Sequence, residues 1–241
     1  RTELAELRGL WNRARQGQGQ LVLLSGEPGV GKTRLANEAM IVARLDGAAV
    51  LEGGCYEYEM AVPYLPFVEA LRGWVHRQEE HVLRQHLAGG TAAELARLAP
   101  EIQARLGRLE ASAPLPPQEE RLRLFDHLAR FLQGLAAERG LLLFLDDLHW
   151  ADQGSLLLLR YLLRALRHDR ALILAAYREV ELDRAHPLAA ALVEWNRDRL
   201  AVRGLLARLG RDETATLLAA LFGAEQVTDE FAEAIYRETE G

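Results

Sequence analysis

The sequence predicts an α/β fold: a parallel sheet with helices covering both faces. Three observations predict it. Short apolar runs, Leu21-Val22-Leu23-Leu24, Leu141-Leu142-Leu143-Phe144-Leu145 and Ala171-Leu172-Ile173-Leu174-Ala175-Ala176, alternate with segments of helical period. Strands buried on both faces read as continuous apolar runs, because helices pack above and below them. Polar clusters follow directly on these runs, namely Gly26–Thr33, Asp146-Asp147 and Tyr177-Arg178. In parallel sheets, ligands sit at the carboxyl ends of the strands, where those clusters fall.

Each element has its own reason. Thr2 to Arg15 reads as a helix with Leu4, Leu7, Leu10 and Trp11 on one face, broken at Gln16-Gly17-Gln18-Gly19. Leu21–Leu24 is the first strand, and Thr33 to Arg44 the helix after it, with Leu35, Ala39, Val42 and Ala43 on a shared face. Ala48 to Cys55 reads as a second strand closing in a glycine turn. Tyr56 to Pro66 is a loop, and Phe67 to His76 a helix. His81 to Leu109 is helical in pattern, broken at Gly89-Gly90 and Pro100; residues of about 77–117 read as a helical insertion between the second and third strands. Ala111 to Pro117 is a Pro-rich linker. Gln118 to Arg139 is the longest helix: Leu122, Phe125, Leu128, Phe131, Leu132 and Leu135 keep a 3.6-residue period until Gly140 stops it. Leu141–Leu145 is a buried strand, Gly154 to Leu166 a helix capped by Asp152, and Ala171–Ala176 another buried strand. His186 to Asn196 is helical, and Leu200 to Leu206 reads as a fifth strand. Arg211 to Phe222 and Thr228 to Glu240 read as two helices of a smaller unit, which divides the chain into 1–206 and 207–241.

Ser25-Gly26-Glu27-Pro28-Gly29-Val30-Gly31-Lys32-Thr33 matches the template G-x-x-x-x-G-K-[ST] at every fixed position. A strand precedes it and a helix follows, the setting in which the pattern becomes a phosphate-binding loop. Glycines admit backbone conformations closed to residues with a Cβ, so several N–H groups point at one anion. The helix N-terminus adds partial positive charge. In such a loop Gly26, Glu27, Pro28, Gly29, Val30 and Gly31 wrap the phosphates of a nucleotide, Lys32 reaches the β- and γ-phosphates, and Thr33 ligates Mg²⁺. Lys32 is the one lysine among 29 basic residues, so an arginine-rich chain keeps a compact ammonium where a point charge suits a phosphate.

Asp146, at the tip of an apolar strand, is the second candidate Mg²⁺ ligand, since Mg²⁺ takes a carboxylate, phosphate oxygens and waters. Asp147 is the candidate to orient or deprotonate the attacking water. Asp-Asp is also an ordinary way to end a strand in a turn. Arg178, closing its strand after Tyr177, is placed to meet a γ-phosphate; it also fits an exposed loop arginine. His149 reads either as a catalytic histidine or, beside a packed Trp150, as a hydrogen-bonding residue that shapes the strand exit, and Tyr64 and Phe67 read as either base-pocket lining or core anchors.

Bulk properties restrict the partners. A net charge of −6, with arginines interleaved among acids, argues against nucleic-acid binding by this segment. The apolar runs are far shorter than the ~20 residues that cross a bilayer, so no membrane partner is expected. The single cysteine, Cys55, fits a reducing, cytoplasmic setting and reads as a core residue.

Gly26–Thr33, then Leu145-Asp146-Asp147-Leu148-His149-Trp150-Ala151-Asp152, then Ala176-Tyr177-Arg178-Glu179 together resemble the ATPase module of large ATP-binding LuxR-type transcriptional regulators, MalT-like STAND proteins among the AAA+ relatives. The resemblance covers nearly the whole chain and is weakest at residues 77–117. It implies a P-loop NTPase of ASCE/AAA+-like type whose parallel five-stranded sheet runs 5-1-4-3-2. It also implies an ATP/ADP switch governing self-association, contacts with downstream domains, and Arg178 as the sensor arginine. Glu3-Leu4 resembles the end of a Gly-Arg-x-x-Glu-Leu opening, and Ile235 to Gly241 the lead-in to a Gly-Asn-Pro motif, so a fragment of a longer regulator is expected. Hydrolytic relatives carry Glu where Asp147 stands, one methylene longer, which points to slow turnover. The functional expectation is therefore a regulatory switch with slow Mg²⁺-dependent ATP hydrolysis. A non-hydrolysing oligomerisation module and a phosphotransferase with an arginine-bearing lid (Arg84, Arg97, Arg105 and Arg108) stand as the alternatives.

Overall fold

The apolar runs pair as one parallel sheet in the order β2-β3-β4-β1-β5, in a computed structural model that describes residues 2–183 and 185–239. The strands are β1 (Gln20–Ser25), β2 (Ala49–Gly54), β3 (Leu141–Asp146), β4 (Ala171–Tyr177) and β5 (Ala201–Leu205). From the other edge this reads 5-1-4-3-2, the order that the resemblance implies. The register sets the functional ends level: Ser25 lies opposite Tyr177, Leu145 opposite Ala175, and Gly54 opposite Asp146. Inserting β4 between β1 and β3 thus lines up three polar strand exits that lie far apart in sequence.

Alternation along each strand feeds two apolar layers. Leu21, Leu23, Leu141, Leu143, Leu145, Ile173 and Tyr177 face a layer made by α3 (Leu65–Arg77), α7 (Pro117–Arg139), α8 (Gln153–Ala165) and α9 (Pro187–Arg197). Val22, Leu24, Leu142, Phe144, Leu172 and Leu174 face the opposite layer, covered by α1 (Thr2–Ala14) and α2 (Lys32–Leu45). β5 lies at the sheet edge beside β1 and is largely exposed.

The predicted breaks at Gly89-Gly90 and Pro100 separate α4 (Glu80–His86), α5 (Thr91–Leu95) and α6 (Glu101–Leu106). Leu83, Leu95, Ala99 and Ile102 are fully buried in the same layer as α3 and α7. Residues 107–116 take no regular structure; Arg123 straps them by donating from Nη1 to the Ala113 carbonyl at 2.7 Å. α3 starts at Leu65, two residues before the expected Phe67. Pro66 lies in its first turn, where a missing N–H leaves no helical hydrogen bond unmade.

After β5, α10 (Arg211–Phe222) and α11 (Asp229–Thr239) pack chiefly on each other, with the Phe222 and Phe231 rings 6.3 Å apart. Glu240, the expected end of the last helix, and Gly241 lie outside the described residues. Among the described residues no helix is long and apolar enough to cross a membrane.

Candidate functional site

The glycine loop spans the exit of β1 and the start of α2. Gly29 and Gly31 have φ of 81° and 100°, in the left-handed region that favours glycine. A Cβ on either would meet nothing within 4 Å, so open space lies ahead of the loop there. Gly26 answers to a different constraint: its Cβ would fall 2.7 Å from the Leu206 carbonyl oxygen. Gly31 caps α2 without a side chain, which leaves the first N–H groups of the helix to the loop. Lys32 is buried, and its Nζ donates to the carbonyls of Gly26 at 2.9 Å and Glu27 at 2.8 Å. Burial lowers its pKa first and Arg178 second, while Asp147 and Asp146 oppose them.

β3 delivers the acids. Thr33 Oγ1 donates to Asp146 Oδ2 at 2.8 Å, bridging the phosphate loop and the tip of β3 across 113 residues of sequence. Asp146 Oδ1 accepts from the Asp147 N–H at 2.9 Å. Burial raises the Asp146 pKa, against the Thr33 and Asp147 hydrogen bonds that lower it; the Asp147 charge raises it and Lys32 lowers it. Asp147 itself takes φ 48°, ψ 43°, a left-handed conformation that costs a non-glycine residue about 1–3 kcal/mol. The turn aims its carboxylate toward β4, with Oδ1 3.7 Å from Arg178 Nε and 3.9 Å from His149 Nδ1. Arg178 also faces Glu181 Oε1 at 3.5 Å.

Lys32, Thr33, Asp146, Asp147 and Arg178 therefore meet at the carboxyl ends of the central strands, as do the glycines from Gly26 to Gly31. Tyr64 and Phe67 fit the core-anchor reading: Phe67 is buried, and Tyr64 packs edge-on against Phe125 at 5.8 Å. Cys55 is a buried core residue whose thiol pKa is pushed up by burial. Asp152 caps α8 by accepting from the Ser155 N–H at 3.1 Å. The insertion arginines are engaged locally: Arg84 with Glu80, Arg97 with Glu94 and Glu120, Arg105 with the Val75 and Gln78 carbonyls.

Arg208 had no sequence signal that named a role, and His149, expected to hydrogen-bond at the strand exit, has no such bond among the described residues. Arg208, beyond β5, bonds Glu27 of the glycine loop through both Nε and Nη2. The signal available was only the cluster of arginines after the last strand. His149 is fully buried, and neither ring nitrogen has a hydrogen-bond partner among the described residues.

The donor set fits a nucleotide with Mg²⁺. Open space before Gly29 and Gly31, unclaimed helix N–H groups and a buried ammonium suit a polyphosphate. A hydroxyl and a carboxylate within hydrogen-bond distance suit a hard cation that keeps several waters.

No curated protein matches the chain. Solved structures are similar at low identity. Caenorhabditis elegans PCH-2 is 16% identical with a TM-score of 0.43, over 91% of this chain and 45% of that one. A chain from Drosophila ORC bound to DNA is 16% identical with a TM-score of 0.42, over 88% and 97%. The chain thus spans less than half the length of PCH-2. The AAA ATPase domain model matches residues 1–175. That match covers the glycine loop, both aspartates and all but the end of β4, and by it the chain belongs to the AAA ATPase domain family, a nucleotide-binding module.

Proposed function

We propose that the chain is an ATP-dependent regulatory switch with slow, Mg²⁺-dependent hydrolysis, one module of a larger signal-transduction regulator of the LuxR-linked STAND type. The observation that carries it is the 2.8 Å Thr33–Asp146 hydrogen bond beside a buried Lys32 and an open glycine loop. In this reading the N–H groups of Gly29–Thr33 and the Lys32 ammonium bind the phosphates, and Thr33 and Asp146 hold the cation. Bound Mg²⁺ would neutralise charge on the phosphate oxygens. Asp147 orients the attacking water and accepts its proton, and Arg178 meets the γ-phosphate. Residues 1–206 form the ATPase domain and 207–241 open a helical subdomain. Nucleotide state governs self-association and contacts with other domains, in the cytoplasm.

Calorimetry with MgADP and MgATP tests binding. Lys32→Ala removes a charged donor, which is worth on the order of 1.5–3 kcal/mol, so affinity should fall about 10- to 150-fold or more. A well-folded sample that binds neither nucleotide overturns the proposal. A second reading, binding without hydrolysis, draws on the Asp147 carboxylate lying toward Arg178 at 3.7 Å. Single-turnover phosphate release separates the two: release that disappears in Asp147→Ala supports hydrolysis. Sedimentation in ATP against ADP reads the self-association.

A further inference from the structure

His149 has no place in the roles assigned so far, yet its burial needs a reason. Its ring is 0% exposed, and both nitrogens lack a hydrogen-bond partner among the described residues. A buried polar atom left unpaired forfeits its hydration with no return, so it is uncommon without a function. Packing alone accounts for little of the choice. The ring lies tilted against Trp150 at 4.9 Å, a contact a phenylalanine makes equally well. Burial lowers the pKa to about 4, so the ring is neutral at pH 7 and carries a single N–H.

Among the described residues, the carboxylate within 4 Å of a His149 ring nitrogen is that of Asp147. Oδ1 stands between two donors, Arg178 Nε at 3.7 Å and His149 Nδ1 at 3.9 Å, and is within hydrogen-bond length of neither. The His149 backbone is held in place: it belongs to a single helical turn pinned by the Trp150 N–H to the Asp147 carbonyl at 2.9 Å. The Asp147 side chain is about one-third exposed and has room to turn. A shift of about 1 Å toward the ring makes a good hydrogen bond with Nδ1–H.

From this we infer that His149 is a positioning residue: its Nδ1–H takes over the Asp147 carboxylate when Arg178 turns to an anionic phosphate, and so sets the carboxylate's orientation toward water. The inference rests on the hydrolytic reading for its consequence, and on geometry alone for the pairing. Arg178 and His149 are alternative partners of one oxygen. Engaging Arg178 elsewhere frees Asp147 to the fixed donor behind it, so presence of the terminal phosphate and alignment of the base become one event. No proton leaves His149 in this step; it donates a hydrogen bond and keeps its proton.

The experiment uses the whole chain with two variants of His149, one of Asp147, and two readouts. His149→Phe keeps the packing and removes the donor; His149→Asn keeps an N–H near the Nδ1 position. Single-turnover hydrolysis should fall at least tenfold in His149→Phe and recover largely in His149→Asn, with the MgATP dissociation constant changed less than threefold in either. Equal losses in both variants, or a loss confined to affinity, overturn the inference. The second readout does not depend on turnover: ¹⁵N spectra of the histidine-labelled chain with a non-hydrolysable ATP analogue and Mg²⁺. They should report His149 as the Nδ1–H tautomer, with a resonance that moves in Asp147→Ala. An Nε2–H tautomer, or a resonance indifferent to Asp147→Ala, overturns the pairing. If the native chain shows no hydrolysis while the spectra show the pairing, the hydrolytic reading has failed and the pairing stands.

Discussion

At the scale of single residues, the site gathers groups whose ionisation the fold works against, and their sign decides how stability follows pH. His149 is neutral in the folded chain with a pKa of about 4, against 6.5 for the free side chain. Its pKa is lowered by burial first, then by Arg178, with Glu181 opposing and His186 and Lys32 adding. Asp147 is the acid beside the ring. A lowered histidine pKa means that the unfolded chain binds the extra proton first. Stability is thus complete above pH 6.5 and lost as pH falls toward 4, by about 3 kcal/mol for a shift of this size. Denaturant titrations should show His149→Phe losing about 3 kcal/mol less than the native chain between pH 7 and pH 4; parallel curves count against the assignment. Asp146 carries the opposite sign. Burial raises its pKa, so its ionisation opposes folding above the ordinary carboxylate range, and stability falls as pH rises through that raised value. Asp146→Asn should therefore melt higher than the native chain at pH 7, with the gain fading below about pH 4, while Mg²⁺-dependent nucleotide binding is lost. A melting temperature unchanged or lowered at pH 7 would show that the carboxylate stabilises the fold.

At the scale of elements, what was legible in the sequence divides along a physical line. The continuous apolar runs at 21–24, 141–145 and 171–176 mark strands packed on both faces, and all three lie inside β1, β3 and β4. The glycine template, the aspartates and Arg178 were legible because strand ends are where a parallel sheet exposes polar chemistry. Boundaries read less well: the Pro66 that suggests a loop sits harmlessly in the first turn of α3. Contacts set by tertiary approach left no mark. Nothing near Tyr64 tells that its ring meets Phe125, and nothing in the spacing tells that Arg208 meets Glu27, 181 residues away. Gly53 is another such case. It reads as part of a glycine turn, but lies within β2, where a Cβ would fall 1.9 Å from the Pro66 carbonyl oxygen and 3.1 Å from the Ala70 nitrogen. The missing side chain lets α3 lie directly on the strand. Gly53→Ala should cost about 2–3 kcal/mol by forcing the helix away, as overpacking a core does. Gly47→Ala serves as the comparison: its φ of 80° brings strain, but a Cβ meets nothing within 4 Å. If Gly53→Ala melts no lower than Gly47→Ala, the close helix–strand contact is wrong.

At the scale of the whole molecule, stability is unevenly distributed, and the uneven part adjoins the glycine loop. β1, β3 and β4 are buried along nearly their whole length between two apolar layers, so their amides open only with global unfolding. α10 and α11 bury only Thr214, Leu218 and Ala232 among their described side chains, while Leu217, Leu221, Phe222 and Phe231 stand exposed. Their link to the sheet passes through Leu206, whose N–H donates to the Ser25 carbonyl at 2.8 Å, and through Arg208 on Glu27. A pair of helices held so lightly opens at a lower free energy than the sheet. Hydrogen exchange should find α10 and α11 exchanging on the order of 100-fold or more faster than β3. The link also gives nucleotide a route to these helices. A ligand that binds the folded glycine loop raises the cost of opening it. Saturating MgADP should therefore slow exchange at Glu27–Thr33 and, through the Glu27–Arg208 pair, at 206–211. In Arg208→Ala the first effect should persist and the second should vanish. Protection that reaches 206–211 equally in Arg208→Ala would mean that the nucleotide reaches those residues by another path, and exchange in α10 as slow as in β3 would make the helical pair part of the central core.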